Sequence, residues 1–206
     1  MVRKLLIGFI MCFIMVFGFT SCTKNSKNPE DTINDLKDLD SYSCNVNIEI
    51  QNDKQKLNYM GKQFYDGTYG DRFELGKDRI FIYKKDKIYV KDLKNGSTYN
   101  TDEDFDGLFK LCFIDKYIHL IYTNEKVDNS FKNVYNKEYQ IITLDIPGNN
   151  KNICKAQLYI DTTNNNPKYL IIYDSFGKKR VRVEYNNFKQ NVKLDKSLFN
   201  IGTANK

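Results

Sequence analysis

From Tyr42 the chain alternates. Cys44, Val46, Ile48 and Ile50 are separated by Asn45, Asn47, Glu49 and Gln51, a period of two that predicts a half-buried antiparallel strand. Short strands of the same kind follow at residues 57–65, 72–75, 79–84, 87–92 and 97–100. Lys85-Asp86 and Asn95-Gly96 fall between them as tight-turn dipeptides. The alternation returns at residues 138–146, 155–161, 169–175 and 178–185. There the turns are Asn164-Asn165-Asn166-Pro167 and Ser175-Phe176-Gly177. Consecutive hairpins of this kind make a β-meander. The final stretch, 186–201, carries Leu194, Leu198, Phe199 and Ile201, which are expected to pack the C-terminus back onto the sheet.

Two segments follow a helical period instead. Asp31 is placed to cap a short helix to about residue 39, with Ile33, Leu36 and Leu39 on one face. Asp104 is placed to cap a longer helix through about residue 122. Its apolar residues, from Phe105, Leu108 and Phe109 to Ile121 and Tyr122, cover most of the circumference, and a helix apolar nearly all round is buried. Lys110, Asp115, Lys116 and His119 interrupt it and exclude a membrane span. The expected fold class is therefore α+β: a strongly curved antiparallel sheet, or half-barrel, with an N-terminal helix and an apolar helix packed on the concave face.

The first 21 residues follow neither pattern. Arg3 and Lys4 precede an apolar run from Leu5 to Phe19, which closes on Thr20-Ser21-Cys22 and gives way to polar sequence. Charge, apolar stretch, small residues and cleavage point form the order of an export signal. A cysteine at that point makes it a lipoprotein signal, in which Cys22 carries the lipid and becomes the first mature residue. The apolar run is shorter than the roughly 20 residues of a spanning helix, which favours cleavage over an uncleaved anchor. Residues 1–21 thus read as signal peptide, 22–30 as flexible tether and 31–201 as one folded domain. The expected location is extracytoplasmic, at a membrane held through acyl chains on Cys22.

Charge and cysteines exclude several classes. Arg3 and Lys4 leave with the signal, so the formal charge falls from +6 to +4, and both signs are interspersed. No basic block suggests nucleic acid as a partner. Cys44, Cys112 and Cys154 are an odd, widely spaced set in apolar surroundings and read as buried small hydrophobes. With no CxxC and one histidine, neither a zinc site nor another metal or cofactor is expected. His119 reads as a packed or rim residue and not as a catalytic base. Asp102, Glu103, Asp104 and Asp106 complement a helix N-terminus, and their spacing does not match a calcium loop. Tyr59, Tyr65, Tyr69, Tyr83 and Tyr89 are contact-surface candidates, but tyrosine is a good strand residue and that is the plainer account. No nucleophile, base or metal set marks an enzyme.

Two stretches resemble a known family. Tyr65-Asp66-Gly67 leads through Asp71-Arg72-Phe73-Glu74. Later, Lys168-Tyr-Leu-Ile-Ile-Tyr-Asp174, Gly177 and Val183-Glu-Tyr-Asn-Asn-Phe188 precede Leu194 and Phe199. Together with the order of elements, these resemble the LolA/LolB-like lipoprotein-sorting superfamily over roughly residues 31–201. Within it the chain is most similar to the clostridial germination lipoproteins. That resemblance implies a non-catalytic accessory protein on a spore membrane facing the cortex, with a cell-wall N-acetylmuramoyl-L-alanine amidase as partner. The alternative it implies is a carrier or sensor of lipid or another apolar ligand. A free strand edge also leaves an edge-paired homodimer open.

Overall fold

The computed structural model describes residues 28–102 and 107–200. Eleven strands form a single sheet in the order β6-β5-β4-β3-β2-β1-β11-β10-β9-β8-β7, and every neighbouring pair is antiparallel. These are β1 (Ser41–Gln51), β2 (Lys56–Asp66), β3 (Gly70–Leu75), β4 (Arg79–Lys84), β5 (Lys87–Asp92) and β6 (Thr98–Asp102), then β7 (Val127–Val134), β8 (Lys137–Asp145), β9 (Lys155–Asp161), β10 (Asn166–Tyr173) and β11 (Lys179–Gln190). The chain starts at the centre of the sheet and walks by hairpins to one edge. It then crosses the inner face, starts again at the opposite edge and walks back. β1 and β11 close the two halves, with Ile48 opposite Val183.

The leading helix, α1, spans Pro29–Lys37, beginning and ending two residues before the span expected from the sequence. Asn28 caps it by accepting a hydrogen bond from the Glu30 amide. Pro29 stands at the start, where a missing N–H costs nothing.

The crossover is two helices, not one. α2 (Gly107–Leu111) and α3 (Ile114–Thr123) are separated by Cys112 and Phe113, and Phe113 is extended at φ −85°, ψ 137°. The sheet supplies what the helix gives up. The Cys112 carbonyl accepts from Gln63 Nε2 at 3.2 Å and from Tyr185 Oη at 2.8 Å. The Ile114 amide donates to Tyr42 Oη at 3.1 Å. The expected cap, Asp104, lies outside the described residues. Nor is the crossover buried all round: Ile114, Tyr117 and Ile118 face the sheet, whereas His119 and Tyr122 are exposed.

Three strand expectations shift. β7 had no signature in the sequence, because Val127-Asp-Asn-Ser-Phe-Lys-Asn-Val134 buries neither face and so shows no alternation. β11 runs to Gln190, past a bulge at Asn187 (φ 53°) where the register with β1 slips between Ser43 and Asn45. Asn166 and Pro167 belong to β10, so that turn is made by residues 162–165, with Asn165 at φ 56°.

The core is continuous through both halves. Val46, Ile48, Phe73, Leu158, Leu170, Val183 and Tyr185 face Phe113, Ile114 and Tyr117 from the crossover, with Leu36 from α1. Gly61 lets Phe73 lie close: a Cβ there would meet the Phe73 ring at 2.5 Å. A short 3-10 helix at Lys196–Phe199 packs on the outer face, where Phe199 meets Tyr69 and the Leu198 carbonyl accepts from Arg72. Among the described residues, every buried one lies between Thr32 and Phe199.

Candidate functional site

The crossover decides what the inner face of the sheet can do. Alternation along β1, β2, β3 and β4 aligns Tyr42, Tyr65, Asp71 and Tyr83 across four strands. A second row aligns Cys44, Gln63, Phe73 and Phe81. α2 and α3 lie on these rows. Phe109 meets Phe73 at 5.2 Å and Tyr59 at 5.6 Å, and Phe113 meets Tyr83 at 5.4 Å. On the other half, Tyr117 Oη donates to the Ile142 carbonyl at 2.7 Å. Cys112, Phe113 and Ile114 are wholly buried. The concave face is therefore filled by the protein's own side chains.

A charged group sits inside this packing. Lys116 Nζ is 2.8 Å from Asp71 Oδ2 and 2.9 Å from Asp115 Oδ2. The other oxygens, Asp71 Oδ1 and Asp115 Oδ1, are buried without a partner among the described residues. Burial pushes the Asp71 carboxyl up, to about 8, and the neighbouring Asp115 charge adds to that against the pull of Lys116. Burial disfavours the charged Lys116, but Asp71 and Asp115 outweigh it and hold the ammonium charged. Burial thus favours the protonated form of Asp71 beside the Lys116–Asp115 ion pair. The Asp71 side chain is only 3% exposed, so it cannot meet a substrate. Its role is to fasten α3 to β3.

Beside it, Leu36, Leu39, Tyr65, Asp115, His119 and Tyr122 line a cleft of about 200 Å³. That is below the roughly 300 Å³ at which small-molecule pockets begin. His119 is exposed on the rim of this cleft.

The other residues singled out by sequence are dispersed. Cys22 lies outside the described residues, as do Glu103, Asp104 and Asp106. Asp102 pairs with Lys87. Cys44 and Cys112 are buried as expected, but Cys154 is half-exposed, its thiol turned to the Asn150 and Lys151 carbonyls of the β8–β9 loop. Among the described residues no group of three metal-ligating side chains forms, and no helix is long and apolar enough to cross a membrane. Of the five tyrosines considered, only Tyr89 is exposed; Tyr83 is buried and the others are half-buried. The main aromatic cluster on the outer face was missed. Tyr139, Tyr159 and Tyr169 meet at 6.1–6.3 Å across β8, β9 and β10, with the Arg182 guanidinium 4.5 Å above Tyr169. No local sequence signal joins them, because their adjacency is set by the register of three strands.

The family described as sporulation protein YdcC-like matches residues 2–199. The chain belongs to that family. No curated protein matches it. The fold of this YdcC-like chain is similar to that of an uncharacterized conserved protein from Thermus thermophilus, with a TM-score of 0.52 at 10% identity over 82% of this chain and 90% of that one. Looser likenesses run to two further structures. One is a putative outer membrane lipoprotein-sorting protein domain from Vibrio parahaemolyticus (TM-score 0.49, 8% identity, 84% and 94% covered). The other is the GerS lipoprotein in complex with the CwlD amidase from Clostridioides difficile (TM-score 0.43, 22% identity, 78% and 92% covered).

Proposed function

We propose that this YdcC-like protein is a lipid-anchored, non-catalytic accessory protein of spore cortex modification that binds and supports an N-acetylmuramoyl-L-alanine amidase. The observation that carries a binding role over a carrier role is the filled concave face. A carrier of apolar cargo needs that face vacated, and here Phe113, Ile114 and Tyr117 occupy it. The buried charge group holds α3 in place rather than presenting a reactive residue. Membership of a sporulation family supports the cellular setting, and the amidase as partner follows the resemblance of residues 65–74 and 168–199. What remains available for a partner is the outer face, with its tyrosine cluster, and the two sheet edges, β6 and β7, whose outer backbone groups no strand among the described residues pairs.

The test is reconstitution. The mature domain and the amidase of the same cell are expected to co-elute on size exclusion, and amide cleavage in peptidoglycan is expected to depend on both. Separate elution with amidase activity unchanged by the domain would reject the proposal. Lipid recovered from the purified domain in place of a complex would favour the carrier.

A further inference from the structure

Apart from the tyrosine cluster on β8–β10, the outer face carries a groove over β4 and β5. Tyr69, Ile82, Tyr89 and Phe199 line a space of about 730 Å³, and Lys84, Lys85, Lys87 and Lys196 stand around it. Ile82 and Phe199 are buried and form its floor. Lys87 is neutralised by Asp102. Lys84, Lys85 and Lys196 have no counter-ion among the described residues, and Asp86 is the one acid lining the groove. Lys85 stands at the tip of the β4–β5 turn with φ 55°. Such a rim is complementary to anions.

Its position says which anion. The β4–β5 turn lies at the same end of the sheet as the β2–β3 turn and the start of β1, since Asp71 pairs Tyr83 and Asp66 pairs Ser41. α1 is tied to this end as well. The Asp40 carbonyl accepts from the Gly67 amide at 2.9 Å, and the Asp35 carboxylate accepts from Asn165 Nδ2 at 2.7 Å. β1 therefore begins at this end, and α1 leads into it from Asn28, six residues after Cys22, a stretch that spans at most roughly 22 Å when extended. The β7–β8 turn also points this way and carries Tyr135, 98% exposed. Tyrosine is a residue favoured where water meets lipid headgroups.

We propose that this end of the domain rests on an anionic membrane surface, with the lysine-rimmed groove seating acidic phospholipid headgroups. Lysines near such a surface add to attraction one by one, and salt screens them. The contact orients the domain and turns the opposite sheet end, with the β1–β2, β3–β4 and β8–β9 turns, away from the bilayer. It is independent of the amidase, so its failure leaves the accessory role standing.

The experiment is flotation of residues 23–206, which hold the whole described core and lack the acylated cysteine. The vesicles are phosphatidylcholine alone or phosphatidylcholine mixed with phosphatidylglycerol. Binding is expected only with phosphatidylglycerol and is expected to fade at high salt. The triple variant Lys84→Glu, Lys85→Glu, Lys196→Glu should bind more weakly by about fivefold per lysine, roughly a hundredfold in all. Its fold is checked by circular dichroism, and Lys→Arg at the same three positions should keep binding. A control triple at the opposite end, Lys54→Glu, Lys77→Glu, Lys151→Glu, makes the same change in net charge and should leave binding within a few-fold of wild type. Equal loss in both triples, or binding indifferent to phosphatidylglycerol, overturns the proposal. So does retention on isolated cell-wall glycan through the same lysines without vesicle binding.

Discussion

Lys116 on α3 reaches Asp71 on β3 across 2.8 Å, and the same ammonium touches Asp115 beside it in sequence. One cation thus serves two carboxylates under the crossover, and one oxygen of each carboxylate has no partner among the described residues. Burial therefore favours a protonated Asp71, because a second buried negative charge would share one ammonium.

That has a pH signature with a definite sign. Asp71 is raised from 3.8 to about 8 in the folded protein, so the folded state binds more protons than the unfolded state across that interval. Its contribution is fully present below pH 3.8 and is lost as pH rises towards about 8. Urea unfolding should show Asp71→Asn gaining on wild type as pH rises from 5 to 8, within that window. Lys116→Met should destabilise by about 3 kcal/mol, because it leaves the Asp71 and Asp115 carboxyl pair without its counter-ion, and by more at the higher pH, where Asp71 ionises. A constant difference between wild type and Asp71→Asn across the range would contradict the raised Asp71 carboxyl.

Tyr42 acts as a cap for a helix more than seventy residues away, its hydroxyl accepting from the Ile114 amide. Tyr42→Phe keeps the ring against Phe188, 5.0 Å distant, and removes only that acceptor. The expected loss is about 1–2 kcal/mol. Amide exchange at Ile114 should quicken more than at Val183 in the sheet centre, and equal protection in the two proteins would refute the capping role.

The cysteines should separate by reactivity. Burial pushes the Cys44 thiol up, well away from the reactive thiolate, and Cys112 is fully buried. Only half-exposed Cys154 is open to reagent. Iodoacetamide followed by mass spectrometry of residues 23–206 should label Cys154 first and the other two only on unfolding. Labelling of all three at one rate in the native protein would mean that the crossover opens freely.

Cys22→Ala tests the anchor. The variant should accumulate as unprocessed precursor or leave the membrane fraction, with the thermal unfolding of the domain unchanged. Full processing together with wild-type membrane retention would rule out lipidation at Cys22.

Local pattern alone determined the strands whose two faces differ in polarity. β1, β5 and β9 stand within a residue of their expected spans, because one side of each is buried and the alternation records it. β7 escaped because both its faces meet solvent. The broken crossover escaped for another reason. Nothing between Asp104 and Tyr122 forbids one helix, and the break exists because Gln63, Tyr185 and Tyr42 take over the hydrogen bonds at Cys112 and Ile114. The buried charge group, the tyrosine cluster and the lysine-rimmed groove each join strands or helices distant in sequence. Residue order names their members, but only the register of the sheet and the path of the crossover bring them within reach of one another.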